Sequence, residues 1–202
     1  MQANRPAQRV RMEVAQLAAK LLAVDSAPDY LAAKRKAAAQ LGVRLDRFMP
    51  TNREIEQALV EYQRLFQHDA QRECVQARRR TAVDAMKFLS AFRPLLTGPV
   101  LAGTATEHSE IILHLYSSTP AEIGLFLDSH VIPHRPCDWT VKIKAREWID
   151  LPAFRFVAGH ADVVLVVFSN ERRNIKPLSP IDGRPMRRAT ISELQTLLQE
   201  TA

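Results

Sequence analysis

The chain contains little cysteine and no long apolar run. Of its 202 residues only Cys74 and Cys137 are cysteines, too few for the disulfide framework of a small secreted protein. No Cys-x-x-Cys pair or Cys/His cluster indicates a zinc site. The longest apolar run, 163–168, has six residues, whereas a membrane-spanning helix needs about 20. These features argue against a disulfide-rich protein, a zinc-binding domain and a helical membrane protein.

The first residues of the chain do not have the pattern of a secretory signal. Residues 1–22 are amphipathic and contain arginines, but they lack a long apolar core and a small-residue cleavage site. An amphipathic, arginine-containing start leaves organelle targeting as a weaker alternative. We therefore expect a soluble cytoplasmic protein that has no membrane partner.

The overall composition is that of a folded protein. The chain is 47% hydrophobic and 25% charged, which is typical of globular domains and excludes disorder over most of its length. A domain of this size buries roughly 70% of the surface of its extended chain, so it needs no metal or disulfide to form a core. The net charge of +6 is compatible with a polyanionic partner without establishing one.

The first half of the chain carries helix signals. Apolar residues recur at helical spacing at Val10, Val14, Leu17 and Leu21. Capping boxes predict two further helices, one beginning at Ser26–Asp29 and ending at Gly42, the other beginning at Thr51–Glu54. A fourth helix is predicted over 72–95, where apolar side chains recur every three residues.

After residue 97 the sequence pattern becomes that of strands. Strands are predicted over 100–102, 111–116, 139–143, 154–156 and 163–168. The last of these has no polar alternation, so we expect it at the centre of the sheet, buried on both faces. Helices are predicted from Thr119 to about His130 and from Thr190 to about Gln199.

These elements predict an α+β fold with two modules. Residues 1–97 form a helical module, and residues 98–202 form a mixed sheet with flanking helices, on which we expect the helix at 72–95 to pack. The first module has 17 Lys and Arg against 10 Asp and Glu, a net charge of +7, and the second has 11 against 12, a net charge of −1. On this division the basic excess belongs to the helical module.

One segment, LLTGPVLAGTATEHSEIILHLY at 95–116, combines a glycine-bearing turn, small residues and an acid-bearing apolar strand. It resembles the opening of the nucleotidyltransferase (polymerase beta-like) fold, in which a helix leads to a Gly-Ser pair and then to an acid-x-acid motif on the next strand. Gly98–Pro99 stands at the position of the Gly-Ser pair, and Glu110–Ile112 at that of the acids. The resemblance covers roughly residues 85–170, and it implies a nucleotidyltransferase-like sheet.

In that family two metal ions, commonly Mg²⁺, hold the triphosphate and activate the attacking hydroxyl. Residues i and i+2 of a strand share a face, so an acid-x-acid pair can direct two carboxylates at the metals. The resemblance implies Glu110 as a catalytic carboxylate and metal ligand, with Asp162 as the other remaining acid. It implies nucleotide-binding roles for four further residues, Gly98, Gly103, Thr104 and Ser109.

The sequence departs from the family pattern at several chemical positions. Ile112 replaces the second acid and cannot bind a metal, and Pro99 replaces the serine and so removes a hydroxyl and an amide. Strand 163–168 contains no acid. We therefore expect an incomplete two-metal site with weak or no nucleotidyl transfer. His114 shares the strand face of Glu110 and offers an alternative metal pair, although Mg²⁺ prefers oxygen ligands.

Each of these residues also has a purely structural interpretation. The segment from Gly98 to Gly103 is also typical of a closely packed turn, Glu110 of a solvated carboxylate, and Ser109 of a side chain that bonds within its own turn. Asp162 is typical of a residue at the entry to a strand. These alternatives stay open at the level of sequence.

Basic side chains form three groups. Arg78, Arg79 and Arg80 follow one another on the fourth predicted helix, and Lys34, Arg35 and Lys36 on the second. Both groups are candidates for salt-dependent phosphate contacts with nucleic acid, or are solvated helix faces. A third group, Arg184, Arg187 and Arg188, surrounds a turn in the tail. It can hold an anion or bind acidic groups of the core through bidentate pairs.

Two functional hypotheses follow. The first is a nucleotidyltransferase-fold protein that binds a nucleotide or nucleic acid; if it is active, the reaction is metal-dependent nucleotidyl transfer that relies on Glu110, Asp162 and Mg²⁺. The second is a non-catalytic interaction protein whose basic helical half binds nucleic acid or an acidic protein. The single acid of the Glu110–Ile112 motif favours the second hypothesis, and the glycine turn favours the first.

Overall fold

The computed structural model describes residues 5–24, 27–44, 49–66 and 68–200. Its helices are α1 (Arg5–Ala23), α2 (Tyr30–Gln40), α3 (Asn52–Phe66), α4 (His68–Phe88), α5 (Pro99–Ala102), α6 (Pro120–Ser129) and α7 (Ile191–Glu200). Its strands are β1 (Leu95–Thr97), β2 (Ile111–Ser117), β3 (Arg135–Lys144), β4 (Glu147–Ala158) and β5 (Ala161–Ser169). These elements confirm the α+β class with an N-terminal helical part. Among the described helices, none is long and apolar enough to cross a membrane.

The backbone divides into two compact units. The helical unit comprises Met1–Gln71 with Pro180–Asp182, and the sheet unit comprises Arg72–Ser179 with Gly183–Ala202. The division falls within α4, upstream of the change of sequence pattern at residue 97. The helical unit then has 11 basic and 9 acidic side chains, a net charge of +2, and the sheet unit has 17 and 13, a net charge of +4. The arginines of α4 therefore place much of the basic excess in the sheet unit.

The helical unit is held together by apolar stripes of α1, α2 and α3. Its core includes Val14, Ala33 and Ile55, one from each helix. The predicted capping box begins α3: the Thr51 amide and hydroxyl both donate to Glu54 Oε2 at 2.7 Å, and the Glu54 amide donates to Thr51 Oγ1 at 3.2 Å. At α2 the Asp29 carboxylate accepts from the Ala32 amide at 2.8 Å, whereas Ser26 lies outside the described residues.

The sheet has the order β1-β2-β5-β4-β3, in which β2 and β5 are parallel and the other neighbours are antiparallel. The prediction of a central strand over 163–168 is confirmed, since every side chain from Val163 to Phe168 is buried. Alternation along β5 creates two apolar faces. The Leu165 face also carries Leu113 and Phe156. The Val164 face also carries Ile112, Leu151, Val166 and Phe168.

Helices cover the Leu165 face. Met86 of α4, Ile123 of α6 and Leu194 of α7 are fully buried in the same cluster as Leu165. At about 25 cal/mol per Å² of buried apolar area, such side chains each contribute roughly 1.5–3 kcal/mol. Helix α4, which covers most of the helix predicted at 72–95, thus contributes to the core on this face of the sheet.

Residues 100–102 form helix α5, so the prediction of a strand there is wrong. Gly98 takes the positive φ of 77° that turns the chain, Pro99 begins the helix, and Gly103 ends it with φ 84°. Proline at the first helical position is a start signal of helices, and glycine after the last position is a stop signal. The first strand lies instead at β1, just before the turn.

Two further element bounds differ from the sequence prediction. Helix α4 begins at His68 and ends at Phe88, and a short 3₁₀ turn, Ser90–Phe92, follows it. The strand predicted over 154–156 is the middle of the 12-residue β4, which pairs with β3 on one side and β5 on the other. Because β4 pairs with a neighbour on each edge, it extends beyond the apolar segment 154–156.

Candidate functional site

The glycine turn lies directly against strand β2. A Cβ atom on Gly98 would approach Ile112 Cδ1 to 3.1 Å, which is closer than nine in ten real Cβ contacts. The φ of 77° also disfavours residues other than glycine. Gly98 therefore brings the backbone against the side chain at the second position of the Glu110–Ile112 motif. The glycine turn and the Glu110–Ile112 motif, which occur together in the family that the segment resembles, are thus in contact here.

The two predicted catalytic acids lie side by side at one end of the sheet. Ile111 of β2 pairs in parallel register with Val163 of β5, and Glu110 and Asp162 immediately precede them. Because alternate side chains share a face, both acids belong to the Val164 face. The parallel register thus brings together two carboxylates that are far apart in sequence.

Glu110 is engaged by a cation that the sequence prediction missed. Its carboxylate forms an ion pair with Arg155 of β4, whose side chain is 44% exposed against 29% for Glu110. The Arg155 guanidinium also lies 5.6 Å from the centre of the Trp139 ring. The strand pattern offers one signal for Arg155. It follows Leu151 and Ala153 at two-residue steps along β4, and these two residues belong to the Val164 face.

These residues do not fit a two-metal magnesium centre. Ile112 presents hydrocarbon at the second acid position, and the Glu110 carboxylate is paired with Arg155. Within the described ranges no group of three or more His, Cys, Asp or Glu side chains is placed to hold a metal ion. The alternative Glu110/His114 pair also fits poorly, because four residues along a strand separate their backbones by about 13 Å.

The other predicted nucleotide-binding residues form part of the turn that leads to β2. The Ser109 hydroxyl accepts from the Thr106 amide at 2.8 Å and lies 3.1 Å from the Thr106 hydroxyl. The amides of Gly103 and Thr104 both donate to the Pro99 carbonyl, at 2.9 and 3.1 Å. This bonding agrees with the local interpretation of Ser109, and Thr104 is buried.

Two buried arginines of α4 donate hydrogen bonds to helix α5 and to the turn that leads to β2. Arg78 and Arg79 are each 7% exposed. Arg78 donates to the carbonyls of Thr106, at 2.8 Å, and Glu107. Arg79 donates to those of Val100 and Leu101, both at 3.2 Å. This placement favours a structural role for both and leaves Arg80 as the exposed member of the run.

The basic run of α2 belongs to the helical unit. Arg35 and Lys36 are exposed, and Lys34 is half-buried. Burial lowers the pKa of Lys34, and Glu54 partly opposes this effect. Lys34–Lys36 and Arg78–Arg80 therefore belong to different units, and each run is considered by itself.

A further polar group on the Val164 face joins β2 to the tail. Arg188 Nη1 donates to the Tyr116 hydroxyl at 2.7 Å. His114, two residues before Tyr116, is 1% exposed, and its Nδ1 has no hydrogen-bond partner. Burial first and Arg188 second lower the pKa of His114 to about 3, so the imidazole is neutral. An unpartnered buried polar atom costs roughly 1–3 kcal/mol.

Comparison with known proteins adds no relative. The chain matches no known protein-family model, no curated protein and no solved structure. Its function is therefore inferred from the geometry of the Val164 face and of the exposed basic residues.

Proposed function

We propose that the sheet unit binds a nucleotide through its phosphates at the end of the Val164 face where Glu110, Arg155 and Asp162 lie, without efficient nucleotidyl transfer. The contact of Gly98 with Ile112 carries the proposal, because it places a glycine turn against an acid-bearing strand, as in the nucleotidyltransferases that segment 95–116 resembles. The parallel register that sets Glu110 beside Asp162 supports it further.

Arg155 is the residue expected to bind phosphate. A planar guanidinium can donate two parallel hydrogen bonds to a phosphate, and nearly half of this side chain is exposed. The Trp139 ring beneath it helps to hold the cation through the ring quadrupole. Glu110 positions the guanidinium in the free protein and competes with the phosphate for it.

The proposal is tested by the melting temperature of the full chain with each nucleoside triphosphate, in Mg²⁺ and in chelator. A ligand that binds only the folded state stabilises it by about 2.7 kcal/mol at a hundredfold excess over Kd. We expect Arg155→Gln to abolish the shift. Glu110→Gln is expected to increase it, because the competing carboxylate becomes neutral. Arg146→Gln, in the exposed β3–β4 turn, is the matched control.

Two results would count against this function. The absence of a shift with every nucleotide would overturn nucleotide binding. Mg²⁺-dependent release of pyrophosphate by the wild type, lost in Glu110→Gln, would instead establish metal-dependent nucleotidyl transfer in which Glu110 is a metal ligand. The Glu110→Gln variant separates the two mechanisms because they predict opposite effects on nucleotide binding.

The helical unit supports a second function, binding of nucleic acid. Helix α2 carries Lys34, Arg35 and Lys36 and contains no carboxylate, and two of these cations are exposed. Each phosphate that such a residue neutralises steepens the salt dependence of duplex binding by about 0.9 in the logarithmic slope. We expect Arg35→Gln with Lys36→Gln to reduce the slope by about 2. Arg172→Gln with Arg173→Gln is the charge-matched control, and no binding to duplex DNA at low salt would exclude this function.

A further inference from the structure

Arg188 is a cation without a carboxylate partner among the described residues. Its only hydrogen bond there is the one from Nη1 to the Tyr116 hydroxyl, although a guanidinium has five N–H donors. The side chain is half-buried. The structure therefore does not bear out an acidic partner for this arginine of the tail, which the sequence left as one alternative.

Three donors surround the same part of the Val164 face. His114 and Tyr116 are alternate residues of β2, so their side chains share that face. Both rings lie against Phe168, with centres 4.9 and 5.8 Å away. Tyr116 accepts its hydrogen bond from Arg188 and keeps its own O–H to donate. His114 Nδ1 is buried with no partner and donates when it carries the imidazole proton.

We propose that Arg188, Tyr116 and His114 bind a phosphate group, either as free phosphate or as part of a nucleotide. The oxygens of a phosphate accept hydrogen bonds from several directions, and a guanidinium fork suits two of them. An anion here would neutralise Arg188 and supply the missing partner of His114 Nδ1. If the phosphate belongs to a nucleotide, the inference rests on the proposed function. Binding of free phosphate does not depend on it.

Arg188 can be reached from a groove, which His114 and Tyr116 do not line. Arg188 borders a groove of about 240 Å³ between the tail and α7. Two carboxylates, Glu193 and Glu200, also line this groove. The Glu193 carboxylate accepts from the Thr190 amide and hydroxyl at 2.7 and 2.8 Å. These bonds hold the Glu193 carboxylate at the start of α7 and lower its pKa, so it stays ionised.

The neighbouring Arg187 supplies a matched control. It lies close enough to Arg79 to lower the pKa of that side chain and close enough to Glu193 to lower the pKa of that carboxyl. Among the described residues no hydrogen bond, ion pair or ring contact joins Arg187 to His114 or Tyr116. Arg187→Gln therefore removes the same charge from the adjacent position without removing a donor of the proposed site.

The test titrates the full chain by calorimetry with inorganic phosphate and, separately, with ATP. We expect Arg188→Gln to weaken phosphate binding about tenfold or more, since hydrogen bonds to charged groups are the stronger ones. Tyr116→Phe, which keeps the ring, is expected to weaken it roughly 2–10-fold. Arg187→Gln is expected to change it less than about twofold. Phosphate should also shift the His114 imidazole nitrogen resonances in the wild type and not in Arg188→Gln.

The two ligands separate this site from the one at Arg155. Phosphate binding that depends on Arg188, without any nucleotide binding, supports this site and overturns the proposed function. ATP binding that depends on both Arg188 and Arg155 supports both. ATP binding that is lost in Arg155→Gln but unchanged in Arg188→Gln, together with phosphate binding that Arg188→Gln also leaves unchanged, overturns this inference alone. Wild-type protein that binds neither ligand, or Arg188→Gln and Tyr116→Phe variants that bind phosphate as the wild type does, would also overturn it.

Discussion

His114 is an imidazole that folding holds in its neutral form. Burial first and Arg188 second depress its pKa from 6.5 to about 3. Between these values the unfolded chain binds a proton that the folded chain does not. The contribution of His114 to stability is therefore complete above pH 6.5 and is lost as the pH falls from 6.5 toward 3.

Replacement of His114 by leucine is expected to flatten the acid limb of the stability profile. In the wild type this residue contributes a slope of up to about 1.4 kcal/mol per pH unit below pH 6.5, and leucine does not titrate. Urea unfolding at pH 7, 6, 5 and 4 measures the slope. His160→Gln, at an exposed turn, should leave it unchanged. A His114→Leu protein with the full wild-type slope would contradict the expectation.

Gly98 allows a comparison between backbone strain and steric contact. Gly98 and Gly159 have similar positive φ angles, 77° and 62°, but a Cβ would meet Ile112 at Gly98 and nothing within 4 Å at Gly159. We expect Gly159→Ala to cost about 1–2 kcal/mol from conformation alone. Gly98→Ala is expected to cost about 1–3 kcal/mol more, from overpacking and from a ψ of −158° that, at positive φ, only glycine adopts readily. Chemical denaturation measures both values.

A second substitution isolates the contact. Ile112→Val removes the Cδ1 atom that a Cβ on Gly98 would meet. We expect Gly98→Ala to be less destabilising in the Ile112→Val background than in the wild type, while the cost of the positive φ stays. Equal losses at Gly98 and Gly159, or equal losses in the two backgrounds, would show that the close contact has no energetic weight.

At the scale of elements, the start of α3 combines a capping box with a bond to α1. Arg11 donates to both Glu54 oxygens, at 2.8 and 2.6 Å. These hydrogen bonds are the largest cause of a Glu54 pKa of about 2, and bonds from Thr51 lower it further. The stability from this group is complete above pH 4.5 and is lost as the pH falls toward 2. It is reduced by solvent, because both side chains are partly exposed.

Two variants are expected to separate the cap from the bridge. Thr51→Ala should lower the free energy of unfolding by about 1 kcal/mol, the usual cost of a lost N-cap. Arg11→Gln should raise the pKa of Glu54 toward its ordinary value with a loss of less than about 1 kcal/mol. A carboxyl NMR titration follows the pKa. An unchanged pKa in Arg11→Gln would show that the Thr51 bonds alone lower it.

The elements also show what sequence patterns can predict. The Thr51–Glu54 capping box joins residues three positions apart, so its spacing alone indicates the start of a helix. The uninterrupted apolar run in β5 likewise indicates a central strand. Helix α5 has four residues and β1 three, too few for a period to be visible. The contact of Arg155 with Glu110 and that of Arg188 with Tyr116 depend on strand register and on the path of the tail. The acids Glu110 and Asp162 are visible in the sequence and their roles stay predictions, whereas the ion pair of Glu110 with Arg155 could not be predicted.

At the scale of the whole molecule, each unit has a hydrophobic core of its own. Ile55 is fully buried in the core of the helical unit, and Leu165 is fully buried in that of the sheet unit. We expect two calorimetric transitions, one for each unit. Replacement of a buried Ile or Leu by alanine costs about 2–5 kcal/mol, so Ile55→Ala and Leu165→Ala should each lower a different transition. A single transition that both variants lower equally would show that the chain unfolds as one cooperative body.

The parallel pairing of β2 with β5 has a consequence for how the protein is made. Val163 follows its partner Ile111 by 52 positions, so the central pair closes a long loop, at an entropic cost that precedes any gain. On the ribosome β2 emerges with its apolar side chains well before β5 has been synthesised. Until then this segment has an unpaired edge and exposed apolar side chains, the features that make a nascent chain prone to aggregation.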